Sequence, residues 1–563
     1  MNDVVQCYPL KAQYRKNEKI FIKIEAAEDE KGCSGKLVCR VFDLNECIKY
    51  VEQSVNLYKD NTIAIELDCS QSLSAKGYGV EISIYADNDK VYKGYTAFDV
   101  CDNPELTPRY GFISDFFEND SGDESDIKQM NKFHLNLVQF YDWMYRHHEL
   151  MPPTDKFKDP LGRELSINVV KEKIQYAKKY GMKALGYAAV YGAEREFYEE
   201  HKDWALYKND GHVIDFANFI FLMDINRKCP WHDHLISQLK EADKFGFDGF
   251  HLDQYGFPKE AIGCREVRKL RDDFPALVDD IKNDLTTENS SPFLIFNAVN
   301  NWPIETVASS DQDVMYIEVW PPNESYRDIS DLIKNARRYN PDKQVVLAAY
   351  MKPFLKEGGV DPVKAENATI LTMATIFANG GFHLLLGEKN GILTEGYYPN
   401  YRVSPSEQFT RKLMDYYDFM VKYEELLFDL SIVEDTMTNT GGINGEYVFK
   451  GYKFSPKAEK DTINTLVKHT ESCKIINLIN YLGIDDDKWN EPKSSLPSEA
   501  RDIEVTAMVV EEVESVYIAS PDYNNGLAQE IPFKFVEHGE GKAIQFTIPR
   551  LDVWDLVFIK LKK

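Results

Sequence analysis

The sequence predicts a multidomain chain: a central (β/α)8 TIM barrel flanked by an N-terminal immunoglobulin-like β-sandwich and a C-terminal antiparallel β-sandwich. Three observations carry this. Across 106–430, short apolar runs alternate eight times with longer amphipathic segments, as strand and helix do in a closed parallel sheet. Across 1–105 and 431–563 the apolar period shortens to two, between clusters of Gly, Asn and Asp, as in antiparallel strands. Acids, amides and aromatics gather directly behind the barrel strands, where barrel loops carry function.

In the first segment, Lys19-Ile20-Phe21-Ile22-Lys23-Ile24-Glu25 and Gly79-Val80-Glu81-Ile82-Ser83-Ile84-Tyr85 alternate cleanly, which fits an accessory sandwich. Asp102-Asn103-Pro104 and Thr107-Pro108 read as a linker. The barrel strands follow as Tyr110 to Phe116, Leu135 to Tyr141, Lys183 to Val190, Phe247 to Asp253, Phe293 to Ala298, Val314 to Val319, Gln344 to Tyr350 and Phe382 to Gly387. Helical spacing covers Ile167 to Tyr180, Leu235 to Phe245, Val267 to Leu285, Ile329 to Tyr339, Pro362 to Ala378 and Gln408 to Phe428. Alternation returns in runs such as Tyr447-Val448-Phe449-Lys450 and Ser515-Val516-Tyr517-Ile518.

The length of 563 residues and hydrophobic content of 43% suit several domains with one large core. A net charge of −26, from 92 acidic against 66 basic residues, disfavours nucleic acid and anionic membrane surfaces and suits a neutral partner. The nine cysteines fall at irregular spacing with no close-set pair suited to zinc. They read as free thiols of a reducing compartment, although six within the first 101 residues leave room for a disulfide. Neither a secretory succession nor a spanning apolar run occurs. The expected location is therefore cytoplasmic, or extracellular where a leader has been removed. There is no phosphate-binding glycine loop and no dinucleotide fingerprint.

Hydrolysis of a glycosidic acetal needs one carboxylate to stabilise or attack the anomeric carbon and one carboxyl to carry the proton. Gly246-Phe247-Asp248-Gly249-Phe250-His251-Leu252-Asp253 ends on Asp253, and Asp313-Val314-Met315-Tyr316-Ile317-Glu318-Val319-Trp320 passes Glu318 just before Pro321-Pro322. Asp253 is the expected nucleophile and Glu318 the expected acid/base. The other strand ends supply candidate substrate contacts: Asp115, Tyr141, Asp142, Trp143, Tyr191, Gln254, Asn297, Trp320, Tyr350 and Glu388. Aromatic faces suit the C–H face of a sugar and acids or amides its hydroxyls. His251 shares the facing of Asp253, which suits an orienting or core group beside the site. Asp248, Asp311, Asp313 and His134 precede their strands and are expected to be structural. Asp485-Asp486-Asp487 and Asp522-Tyr523-Asn524-Asn525-Gly526 are read as turns rather than calcium loops, and no metal site is expected.

The segments Gln139 to Trp143 with Arg146-His147-His148, Ala189 to Ala193, Gly246 to Gly256, Asn297 to Asn300, Tyr316 to Trp320, and His383 to Glu388 with Tyr397 to Asn400 resemble those of glycoside hydrolase family 66. That family holds endo-dextranases and cycloisomaltooligosaccharide glucanotransferases. The resemblance implies a retaining nucleophile at Asp253, an acid/base at Glu318, a substrate contact at Tyr398, an α-1,6-glucan or isomaltooligosaccharide substrate, and no cofactor. Members that form cyclic products typically carry a carbohydrate-binding module inserted in the barrel. No interstrand connection is long enough to hold one, so endo-hydrolysis is expected over cyclising transfer. A glucan-binding protein on an inactive barrel is the alternative from outside enzymology. Oligomeric state is left open.

Overall fold

The computed structural model describes residues 5–25, 33–57, 62–67, 73–87, 91–355, 361–539 and 541–562. Eight parallel strands form its centre: β1 Tyr110–Ile113, β2 Leu137–Phe140, β3 Lys183–Ala189, β4 Gly249–Asp253, β5 Phe293–Asn297, β6 Val314–Glu318, β7 Val345–Ala348 and β8 Phe382–His383. Neighbours pair in chain order. A parallel bridge between Phe112 and Gly387 joins the continuation of β8 to β1 and closes the barrel. Glycine permits this closure, because a Cβ at Gly387 would stand 2.2 Å from the Phe112 carbonyl oxygen.

A helix follows each strand: α1 Ser125–Asn131, α2 Ile167–Lys179, α3 Pro230–Phe245, α4 Leu270–Leu285, α5 Ile304–Val307, α6 Tyr326–Tyr339, α7 Pro362–Ala378 and α8 Glu407–Lys422. The helices cover the outer face of the sheet while side chains fill its interior, so strands such as Phe293–Asn297 are buried at every position and read as unbroken apolar runs. Capping fixes several helix starts. Ser325 accepts from the Asp328 backbone N–H while the Asp328 carboxylate answers the Ser325 backbone, and Asp361 caps α7 ahead of Pro362.

Two departures from the sequence expectation have local causes. Glu266–Lys269 pairs with Glu260–Gly263 as an antiparallel hairpin, so the helix expected from Val267 starts at Leu270 and Val267 is 70% exposed. Cys264 and Arg265 take φ of 44° and 65° to make its tip, the left-handed pair of a tight hairpin turn. The eighth strand is two residues long, after which the chain reaches the Gly387 bridge irregularly.

Ahead of the barrel, a three-stranded and a four-stranded antiparallel sheet enclose Ile20, Ile22, Ile24, Leu37, Val41, Ile82 and Ile84. Beyond it, two further sheets enclose Val467, Ile476, Val505, Ile544, Phe546 and Val557. The first sandwich is tied to the barrel by a buried ion pair, Asp99 to Arg109 at 2.9 Å, with Arg109 also donating to the His134 carbonyl. The second docks Trp554 against Phe419, Tyr416 and Phe377. Cys7, Cys47, Cys101, Cys229, Cys264 and Cys473 are free thiols; Cys69 and the side chain of Cys33 lie outside the described residues. Among the described residues no helix is long and apolar enough to cross a membrane.

Candidate active site

The carboxyl ends of β4, β5 and β6 converge on one amide. Asn297, the last residue of β5, donates through Nδ2 to Asp253 Oδ1 at 2.7 Å and to Glu318 Oε2 at 3.2 Å. Each carboxylate has a phenol on its other oxygen. Tyr187 donates to Asp253 Oδ2 at 2.7 Å, and Tyr350 donates to Glu318 Oε1 at 2.6 Å. Parallel pairing sets this up: Ala189 lies beside Asp253 and Glu318 beside Ala348, so residues two apart along each strand face the same interior.

Burial, and after it the charge of Glu318, pushes the Asp253 carboxyl up to about 7, against the pull of its bonds to Asn297 and Tyr187. Like charges this close favour a proton on Asp253.

Beneath the pair lies an aromatic floor. His251 stacks between Tyr110 and Tyr187 and meets Tyr316 edge-on at 4.7 Å. Its Nδ1 bonds the Tyr110 hydroxyl at 3.1 Å, and burial lowers its pKa to about 3, so it supports the floor as a neutral ring. Tyr398 stacks on Tyr141 with centroids 4.1 Å apart and bonds Gln139. Tyr141 donates to the Gly396 carbonyl at 3.2 Å, bringing the loop after β8 over the pair. A Cβ at Gly396 would come within 3.4 Å of both Glu318 and Trp320. Trp320 is half-buried, edge-on to Tyr350, with the Lys352 ammonium 4.6 Å over its ring. Asp142 has a φ of 49°, and its carboxylate has no hydrogen-bond partner among the described residues. Burial raises that carboxyl to about 6, with His147 and Arg163 pulling the other way.

The structure thus brings Asp253, Glu318, Asn297, Tyr350, Tyr141, Asp142, Trp320, Tyr398 and His251 around one barrel mouth. Five other expected contacts are engaged elsewhere. Trp143 is fully buried, packed on Phe245 and Phe247 and donating to the Tyr187 carbonyl. Tyr191 is buried, donating to the Phe257 carbonyl and accepting from the Tyr255 N–H. Gln254 spends its amide on the carbonyls of Asn297 and Trp302 and on the Gly256 N–H. Asp115 and Glu388 are consumed by Arg402 and Lys389 in an ion cluster at the seam between β1 and the chain beyond β8. These five brace loops instead of facing the opening.

Sequence position alone missed Tyr187, because it stands two residues before the end of its strand. It also missed Glu194, which accepts from both His147 and His148 at 2.7 Å and is held well below the usual carboxylate range by those bonds although burial opposes them. The residues set aside as structural stay away from the mouth. Asp248 accepts from the Ala184 N–H, Asp313 pairs with Lys282 at 2.7 Å, the Asp311 backbone N–H bonds Asp279, and His134 bonds Asp418 at 2.7 Å. The acidic turns are filled by protein donors: Ser494 on Asp485, Lys493 on Asp486, and Tyr416, Val553 and Trp554 on Asp522.

Comparison with known proteins gives a consistent answer. Two cycloisomaltooligosaccharide glucanotransferases of Niallia circulans are each 24% identical, over 98% and 99% of this chain and 71% and 72% of their own lengths. A dextranase of Streptococcus salivarius is 23% identical over 86% of this chain and 67% of its own. The crystal structure of a Paenibacillus cycloisomaltooligosaccharide glucanotransferase complexed with cycloisomaltoheptaose superposes with a TM-score of 0.89 at 22% identity, covering 99% of both chains, which shows a shared fold. The family model described as glycosyl hydrolase family 66 matches residues 10–558. This chain belongs to glycosyl hydrolase family 66.

Proposed function

We infer that the chain is a retaining endo-hydrolase of α-1,6-glucosidic linkages in dextran or isomaltooligosaccharides. The observation that carries this reading is the Asn297 bridge. Its two bonds of 2.7 and 3.2 Å keep the nearest oxygens of Asp253 and Glu318 within their sum. That sum, about 6 Å, accommodates the roughly 5–5.5 Å of retaining enzymes and falls short of the roughly 6.5–9.5 Å that inversion requires.

Asp253 attacks the anomeric carbon while Glu318 delivers a proton to the departing glucosyl oxygen, leaving a glycosyl-enzyme ester. Glu318, now ionised, takes a proton from water as that water attacks the same carbon and frees Asp253. Asn297 and Tyr187 disperse the charge that Asp253 bears before attack and regains on release. The half-buried Tyr141 and Trp320 offer apolar surface to the ring, with Tyr398 backing Tyr141 from the core, and Asp142 offers an open acceptor for a hydroxyl. In this reading 106–430 is the catalytic barrel, while 1–105 and 431–563 are accessory sandwiches.

The alignment with the first of the two glucanotransferases runs over 702 residues, longer than this chain of 563, so that relative carries inserted residues within the aligned region. The second reading, cyclising transfer, draws on the names of those same relatives. A dextran digest separates the two. New reducing ends with linear oligosaccharides support hydrolysis, and masses one water lighter without new ends support the cyclising enzyme. Binding without any product would overturn both readings in favour of a glucan-binding protein.

A further inference from the structure

Beside the barrel mouth, two stretches distant in sequence bring two thiols and a carboxylate together. Asp224 follows the strand Ile220–Leu222 of the connection after β3, Cys229 precedes α3, and Cys264 sits at the tip of the hairpin after β4. Their Sγ, Sγ and carboxylate oxygen atoms lie within 4.8 Å of one another. Two sulfurs held at 2.3 Å by a tetrahedral ion stand about 3.8 Å apart, so a small contraction closes the set.

Two further observations point to a built site. Gly263 lets the hairpin lie directly on Asp224, since a Cβ there would meet Asp224 Oδ2 at 2.4 Å. Asp224 is fully buried, and its orientation is fixed by the Asn226 N–H at 3.1 Å and Arg268 Nε at 2.9 Å, leaving further lone pairs on the carboxylate. Two successive carbonyls also draw the thiols to one place: Cys229 Sγ donates to the Trp204 carbonyl at 3.7 Å and Cys264 Sγ to the Asp203 carbonyl at 3.9 Å. Cys229 is buried and Cys264 partly exposed, which leaves an entry path for an ion.

We propose that Asp224, Cys229 and Cys264 bind one thiophilic divalent cation of the zinc class, with water completing a tetrahedral shell. Binding releases both thiol protons, and the dication offsets the two thiolates, while the Asp224 carboxylate keeps its own partner in the Arg268 guanidinium, which Glu266 also engages. Soft thiolates with one carboxylate select zinc or cobalt over magnesium or calcium. The ion would tie the segment carrying on from Asp253 to the start of α3 and to the loop after β3, bracing one wall of the mouth. Irregular cysteine spacing hides this set, because the thiols are brought together by the hairpin fold.

The test uses the full chain without a histidine tag, reduced and freed of metal by a chelator, then titrated with Co2+ and, separately, Zn2+. One equivalent of Co2+ should give thiolate-to-cobalt charge-transfer absorption with the visible bands of a tetrahedral ion, and Zn2+ should displace it and raise Tm. Cys264→Ser, at an exposed turn, should weaken binding ~100-fold or more with the fold intact by circular dichroism. Cys229→Ser should do the same, and Cys473→Ser should change nothing. The proposal is overturned if no thiolate band appears or if binding survives Cys264→Ser. Isolation of the chain with a Cys229–Cys264 disulfide and no metal uptake after reduction would equally overturn it.

Discussion

Tyr187→Phe removes one oxygen and leaves the ring that stacks on His251, so it probes the Asp253 bond with little disturbance of the floor. The lost bond, 2.7 Å to Asp253 Oδ2, runs to a charged acceptor and is worth about 1.5–3 kcal/mol. At about 1.4 kcal/mol per pH unit, Asp253 gains proton affinity equivalent to about one to two pH units. Asp253 attacks only when ionised, so below the parent value near 7 its ionised fraction becomes ~10- to 100-fold smaller. The expected kcat/KM for release of reducing ends from dextran falls by that factor on the acid side of the profile, and the acid limb moves upward by the same one to two units. A fall in kcat/KM with an unmoved acid limb would refute the charge-stabilising role of Tyr187 and leave it a packing residue.

Further outcomes follow from the same geometry. Burial lowers the pKa of His383 to about 4, so its contribution to stability is complete above the unfolded value near 6.5 and is lost as pH falls toward 4. His383→Gln should therefore narrow the stability gap to the parent by about 1.4 kcal/mol per pH unit over that window in denaturant titrations; a constant gap would show that the ring is not held neutral. Arg109→Ala leaves Asp99 buried and unpaired, and should cost about 3–5 kcal/mol of unfolding free energy; a loss below about 1 kcal/mol would contradict the buried pairing. Asp248→Asn should lower stability by about 1 kcal/mol while kcat/KM holds, and a selective loss of activity would place it in the site instead.

Much of the barrel was legible because parallel strands covered on both faces leave unbroken apolar runs, and the acids that stop those runs stand out. Asp253 and Glu318 are visible in that way, as is Asn297. Side-chain direction beyond a strand end was not legible. Trp143 and Tyr191 turn back into the core because the chain bends sharply after β2 and β3, and no residue pattern records that bend. Val267 looked helical because Glu266–Lys269 is too short for its alternation to outweigh the amphipathic run that follows. Tyr187 escaped notice because its interior position depends on register with β4, and the set of Asp224, Cys229 and Cys264 escaped because only the hairpin fold brings Cys264 to the other two.

The most direct test of the roles given to Asp253 and Glu318 is the stereochemistry of azide products from Glu318→Ala and Asp253→Ala, read by NMR with an activated α-linked isomaltooligosaccharide donor. Azide entering the space left by Glu318 should capture the glycosyl-enzyme and give the α-azide, whereas azide replacing Asp253 should give the β-azide. The opposite pairing of variant and anomer would contradict the account.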